Sequence, residues 1–156
     1  QDYPVGMDAL HRAVEINPGS GFVTSMAGCG LVFGDETEEG MRLIECGMAL
    51  GPKDPNTYAM LTVSAAGHLF SGNPEMALAL VNRVLTHHAT LDSAHWVRTV
   101  ALKNLGRKED ARAAAAKLLE AYPEASASRY ERVLPIRSKT SLALVIDALR
   151  EAGVPE

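Results

Sequence analysis

The chain is poor in aromatic residues, in cysteine and in long apolar runs. Aromatics make up 5% of its 156 residues, with one Trp, four Tyr and three Phe. Two cysteines, Cys29 and Cys46, are too few for a disulfide framework, and small buried thiols are the expectation. No run of about 18 apolar residues occurs, which excludes a membrane-spanning helix. No signal-peptide pattern opens the sequence, so a reducing, cytoplasmic setting is expected. Gln1 rather than Met stands first, as in a piece of a longer protein. A net charge of −4 gives no overall case for nucleic acid or an anionic membrane as partner.

Motifs for chemistry are also missing. There is no glycine-rich phosphate loop, no Cys-x-x-Cys and no His-Glu-x-x-His. His87, His88 and His95 lie close together, but adjacent histidines diverge by about 100° on a helix. Without supporting Cys or carboxylate ligands they read as solvated turn residues, not a metal site. Glu38-Glu39 and Glu109-Asp110 stand where helices start and complement the helix dipole. No catalytic residue, metal or cofactor is expected. Arg129, Arg132, Arg137 and Lys139 form a basic group beside Glu131, too thin a footprint for nucleic acid. Charge is uneven: residues 1–89 hold 10 acids and 4 bases, whereas residues 90–156 hold 9 acids and 11 bases. Solvated helix faces explain this; head-to-tail association is the sharper alternative.

What is present is a hydrophobic content of 47%, abundant alanine, and a repeat. Small residues recur at Gly6, Gly40, Ala77 and Ala111, at spacings of 34, 37 and 34. Pro18, Pro52, Ala89 and Pro123 run in step at the same spacings. A period near 34 marks stacked helix–turn–helix units. The local signals predict helices over 4–16, 21–33, 36–50, 56–70, 74–87, 91–105, 108–121, 125–133 and 139–152. Thr37 or Asp35, Asn73 and Ser138 are candidate N-caps, and Pro74 suits a first helical position. Gly106 suits a helix C-terminus. The last helix has an apolar stripe at Leu142, Val145, Ile146 and Leu149. It is expected to seal the end of the array, whereas the first helix reads as the second half of an incomplete unit. The apolar side of that helix is expected to be covered by other residues or by a second copy.

The units resemble tetratricopeptide repeats (TPR). Gly28 takes the small position of a first helix, and Gly72-Asn-Pro-Glu-Met-Ala77 and Gly106-Arg-Lys-Glu-Asp-Ala111 resemble the family's Gly-x-x-x-x-Ala turn. Ala65 and Thr99 depart from the usual first-helix Gly, and three extra residues fall near 51–56. The resemblance covers 3–123. It implies an all-α, right-handed superhelix of antiparallel helix hairpins with a C-terminal capping helix. Within a single domain of 1–156, residues 3–18 form the second helix of an incomplete repeat. Residues 20–52, 53–89 and 90–123 form full repeats, and 124–156 a partial repeat with the cap. The tail, Arg132-Val-Leu-Pro-Ile-Arg137 and then Leu149-Arg-Glu-Ala-Gly-Val-Pro-Glu156, resembles the C-terminus of bacterial multidomain signalling proteins. Those carry an adenylate or guanylate cyclase domain, or a winged-helix domain, ahead of such repeats. Ile136 and Ser138 stand where that group often has Phe and Asp.

In the TPR family the first helices line a concave binding face. The resemblance therefore implies a protein or peptide partner on Phe22, Ser25, Cys29, Val32 and Phe33 in one unit. The next unit offers Ala59, Thr62, Ala66, Leu69 and Phe70, and the next Ser93, Trp96, Val100, Lys103 and Asn104. This set lacks the Lys/Asn/Arg array that clamps a terminal carboxylate in some relatives, so an apolar helix or strand is the expected ligand. Trp96 is the leading anchor candidate, ordinary packing being its alternative. The function implied is protein–protein interaction or homo-oligomerisation, serving an upstream domain of the same protein or a separate partner. A winged-helix regulator or a stand-alone scaffold remains the alternative.

Overall fold

A computed structural model describes residues 3–156; Gln1 and Asp2, the start of the expected 1–156 domain, lie outside the described residues. Among the described residues the chain forms nine α-helices and no strand. They are α1 (Tyr3–Ile16), α2 (Gly21–Phe33), α3 (Thr37–Leu50), α4 (Thr57–Phe70), α5 (Pro74–His87), α6 (Asp92–Asn104), α7 (Lys108–Ala121), α8 (Ala127–Val133) and α9 (Lys139–Glu151). Four start with the side-chain caps the local chemistry favours. Ser20 accepts from the Val23 amide, Asn73 from Met76, Ser126 from Arg129 and Ser138 from Ser141. Pro74 occupies the first turn of α5, where its missing N–H leaves no bond unmade. The start of α3 differs from expectation. Glu36 holds the cap position without a side-chain bond, and Asp35 turns the chain with φ 77°. The 51–56 junction folds on Asp54, whose carboxylate accepts from the Asn56 amide at 2.7 Å and whose carbonyl accepts from the Thr57 hydroxyl at 2.6 Å.

The pairs α2–α3, α4–α5 and α6–α7 are antiparallel hairpins, and each first helix also meets the next (α2 with α4, α4 with α6). The hairpin solenoid expected from the period is the observed architecture. The tightest pair is α2–α3. A Cβ added to Gly28 would lie 2.6 Å from the Gly40 carbonyl oxygen, and one added to Gly40 would lie 2.6 Å from the Val32 amide nitrogen. The same approach recurs seven residues away, where a Cβ on Gly21 would lie 2.6 Å from the Gly47 oxygen. Seven residues are about two turns, so Gly21 and Gly28 share one face of α2, and Gly40 and Gly47 one face of α3. The later hairpins use slightly larger residues at the corresponding places. Ala65, Ala77 and Thr99 are fully buried, and Ala111 is buried too. The Thr99 hydroxyl donates to the His95 carbonyl at 2.9 Å, which satisfies the polar atom that departs from the family pattern.

Beyond α7 the chain departs from simple stacking. α9 packs on α8, as a cap would, and also on α6. Ile146, Val145, Ala148 and Leu149 share one continuous core with Trp96, Val97 and Val100 of α6 and Leu69 of α4. Smaller apolar clusters lie between α1, α2 and α3, and between α2, α3 and α4.

The glycine contacts give a stability test. Gly28→Ala and Gly40→Ala each force backbone apart and should cost about 1–3 kcal/mol in urea unfolding. Gly6→Ala, at the matching position of α1 where an added Cβ meets nothing within 4 Å among the described residues, should instead stabilise by about 0.5–1 kcal/mol. Equal effects at the three sites would contradict the packing described.

Candidate partner-binding surface

The C-terminal segment crosses the face where a groove was expected. After α8 the chain returns to the end of α2, where the Arg137 amide donates to the Phe33 carbonyl at 2.9 Å. The Arg137 guanidinium donates to the Gly34 carbonyl at 3.4 Å and lies 5.8 Å from the centre of the Tyr3 ring. At the far end of α9, Glu151 pairs with Lys103 of α6 at 3.2 Å. A 13-residue helix is about 20 Å long. Two steps between packed helices, at roughly 9 Å each, cover about the same distance. α9 therefore bridges from the end of α2 to the end of α6. The tail then returns to α8, where the Ala127 amide donates to the Pro155 carbonyl at 2.7 Å.

Part of the expected surface is closed within the hairpins themselves, where Ser25 faces Gly47 and Val32 packs with Ile44, and part in the core that α9 joins. Ser25, Val32, Thr62, Ala66, Leu69, Trp96 and Val100 are all buried, none more than 2% exposed, so none is open to a ligand in this conformation. Trp96 lies in the core shared by α6 and α9. Cys29, Phe33, Ala59, Phe70, Ser93 and Lys103 are half-buried; Phe22 and Asn104 are exposed. Lys103, read as the clear positive charge of the groove, is engaged by Glu151.

An open apolar cleft of about 530 Å³ remains at the other end of the array. Tyr3, Gly6, Met7 and Leu10 of α1 form one wall, and Met26, Cys29, Gly30 and Phe33 of α2 the other. Pro135, on the returning segment, closes one side. Of the expected residues, the structure brings Cys29 and Phe33 together here. Met26, 45% exposed, escaped the sequence reading, although its place one turn before Gly30 on an apolar helix was the available signal. Phe70 opens elsewhere, onto a polar depression with Glu36, Glu38, Glu39 and Arg42.

Burial pushes the Cys29 thiol up to about 11, so it stays protonated and non-nucleophilic at neutral pH. Cys46 is exposed on α3, contrary to the expectation of two buried thiols. The histidines divide too. His88 stacks on Tyr58 at 4.0 Å between ring centres. His95 is buried with its Nε2 2.7 Å from the Ala89 carbonyl oxygen, not solvated as expected. Among the described residues no three His, Cys, Asp or Glu side chains converge as metal ligands, and no helix is long and apolar enough to cross a membrane. Of the basic group, Arg129 pairs with Glu124 at 3.0 Å, and Arg137 is used in the docking described above. Tyr130 is buried and donates to Asp92; burial first, then that bond, raise its pKa.

This geometry defines a solenoid of helix hairpins of the TPR type, with its C-terminal helix packed on α6 and α8. No family model matches the sequence, and no curated protein matches it. Among solved structures the chain is similar to YrrB, described as a TPR protein with an unusual peptide-binding site. The TM-score is 0.61 at 16% identity, over 97% of this chain and 76% of that one. At that identity the likeness establishes the fold.

Two outcomes are expected. Leu149→Asp puts a charge into the α6–α9 core and should cost at least about 3 kcal/mol locally. Released from α9, Trp96 should show emission shifted to longer wavelength while far-ultraviolet circular dichroism keeps most of its helical signal. An unshifted spectrum would mean that α9 does not cover Trp96. Iodoacetamide at pH 8 should label Cys46 at least about tenfold faster than Cys29 by mass spectrometry, because only thiolate reacts. The folded pKa of Cys29 lies above the ordinary value of 9.0, so its neutral form supports the fold fully below pH 9 and loses that contribution as pH rises towards 11.

Proposed function

We propose that the chain is a protein–protein interaction module that holds an apolar segment of a partner protein, and that residues 1–156 act as one TPR-like domain. The α1–α2 cleft carries this reading. Its lining is apolar apart from the Tyr3 hydroxyl and the protonated Cys29 thiol, and it stands open beside exposed Phe22 and Met26. Exposed apolar surface gathered in one concave place marks a binding site. Cys29, Phe33 and Phe22 are kept as binding residues, and Met26 is added to them. Under this reading the chain has no catalytic role.

The finer reading is a regulatory C-terminal part of a larger bacterial signalling protein, such as a nucleotide cyclase. The support is the resemblance of the 132–137 and 149–156 segments. Ile136, in the first of them, is buried in the main core, and Arg137 ties the segment to α2. The 132–137 segment thus has a structural task next to the cleft.

Panning the chain against a random 12-residue peptide library on phage tests the reading. Apolar sequences should be enriched. Met26→Asp, at an exposed site that leaves the fold intact, should weaken their binding at least about tenfold, since a charge placed against an apolar ligand is left without a partner. Enrichment of acidic C-terminal sequences, or retention by Met26→Asp, would overturn it.

A further inference from the structure

The third hairpin carries cations where the other two do not. In the register of the repeat, Arg98 of α6 stands at the position of Ala27 in α2 and Ser64 in α4, both small and buried. Arg107, just ahead of α7, stands at the position of Glu36, and Lys117 of α7 at that of Cys46. The three cations line one cavity of about 110 Å³ between α6 and α7, with buried Leu102 and Ala114 beside them. Asp110 is the one carboxylate in that lining, and the Arg107 guanidinium already donates to it at 2.7 Å. Among the described residues Arg98 and Lys117 pair with no carboxylate. Arg98 is half-buried, and its Nε is buried without a hydrogen-bond partner. A buried guanidinium N–H is costly to leave without an acceptor, and an anion in the cavity would supply one.

We propose that this groove binds a phosphorylated side chain of a partner protein, with the phosphoryl group held by Arg98, Arg107 and Lys117. Two of the three cations are uncompensated. A phosphorylated side chain brings about −1.5 to −2 charges at neutral pH, whereas a carboxylate brings one and would leave a cation over. Guanidinium forks match phosphate oxygens in pairs, and the lysine ammonium adds a point charge. The cavity has the volume of a few waters at about 30 Å³ each, which suits one phosphoryl group and not a whole nucleotide. A single such site is no footprint for nucleic acid, whose binding needs several phosphate contacts in a row. A lipid surface fits less well, because none of the large exposed apolar side chains lies on α6 or α7. The groove shares no residue with the α1–α2 cleft and goes beyond the reading given for it.

Two immobilised libraries of short peptides, random except for a central phosphoserine in one and a central glutamate in the other, test the assignment. At about 0.15 M sodium chloride, where weak surface attraction is screened, the phosphoserine library should retain the full chain at least about tenfold better. Arg98→Gln and Lys117→Gln should each abolish that preference. Lys117 is exposed, so its variant keeps the test open even if Arg98→Gln fails to fold. In heteronuclear NMR, a phosphoserine peptide eluted from the library should shift the Arg98 Nε–H resonance saturably. Equal retention by the two libraries, or a preference kept by Lys117→Gln, would overturn the site. A saturable Arg98 shift with inorganic phosphate but no retention by phosphoserine peptides would make the ligand a free anion and overturn the partner assignment. Capture by vesicles of phosphatidylcholine and phosphatidylinositol phosphate, without retention by the peptides, would move the phosphoryl group to a lipid and overturn it equally. All these outcomes leave the α1–α2 cleft to its own test with apolar peptides and Met26→Asp.

Discussion

The close approach of two antiparallel helices at small residues is the constraint on which the rest of the structure depends. A helix is about 10–12 Å across with its side chains, and two helices touch backbone to backbone only where side chains are absent. In α2 and α3 this happens at Gly28 and Gly40, and again at Gly21 and Gly47. The contact fixes the rotation of each helix about its axis. Leu31, Val32 and Ile44 are thereby set into the core, and Glu38 and Arg42 are left in water. In the later hairpins the corresponding small residues, Ala65, Ala77, Thr99 and Ala111, are likewise buried. Since each first helix also packs on the next, an error in one hairpin would propagate along the stack.

The C-terminal segment imposes a second constraint on this stack. An array of hairpins presents its first helices side by side, and their apolar residues form a strip that needs a cover. α9 supplies the cover from within the chain. Its stripe meets the core around Trp96, the Lys103–Glu151 pair sits at one end, and the Arg137 bonds to the end of α2 sit at the other. The Lys103–Glu151 pair is partly exposed, so its own contribution to stability is small, up to about 1 kcal/mol. Burial of Val145, Ile146 and Leu149 dominates, at about 1.5–3 kcal/mol for each side chain. Open apolar surface is left at the α1–α2 end, in the cleft lined by both helices and Pro135.

Much of the fold was legible in the sequence, and the reason is local. Asn73-Pro74, Gly106 and Ser138 announce helix ends through their own capping chemistry, and α2, α5 and α7 begin and end where their turn residues place them. Legibility failed where a residue answers to distant neighbours. Glu36 stands at the cap of α3 although Asp35 and Thr37 have the better intrinsic preference; Asp35 is diverted into a left-handed turn. Cys46 and His95 exchanged the expected environments because exposure depends on which helix lies opposite. The cleft fared similarly. Cys29 and Phe33 follow from the positions the family resemblance implies and Met26 from its place on the apolar helix α2, while Pro135 reaches the cleft on the returning tail, which no local pattern reports.

The sequence by itself determined the period, the helix lengths and the small residues at which helices must touch, because these follow from turn chemistry and side-chain size within about 34 residues. Only the tertiary structure decided which apolar faces stay open. Residues 134–154 spend their apolar surface on first helices up to about 100 positions earlier in the chain, and a contact of that range is set by the geometry of the whole stack. The 13 residues of α9 cap the array by packing on α8 and on α6, and their apolar stripe joins the core in which Trp96 is buried.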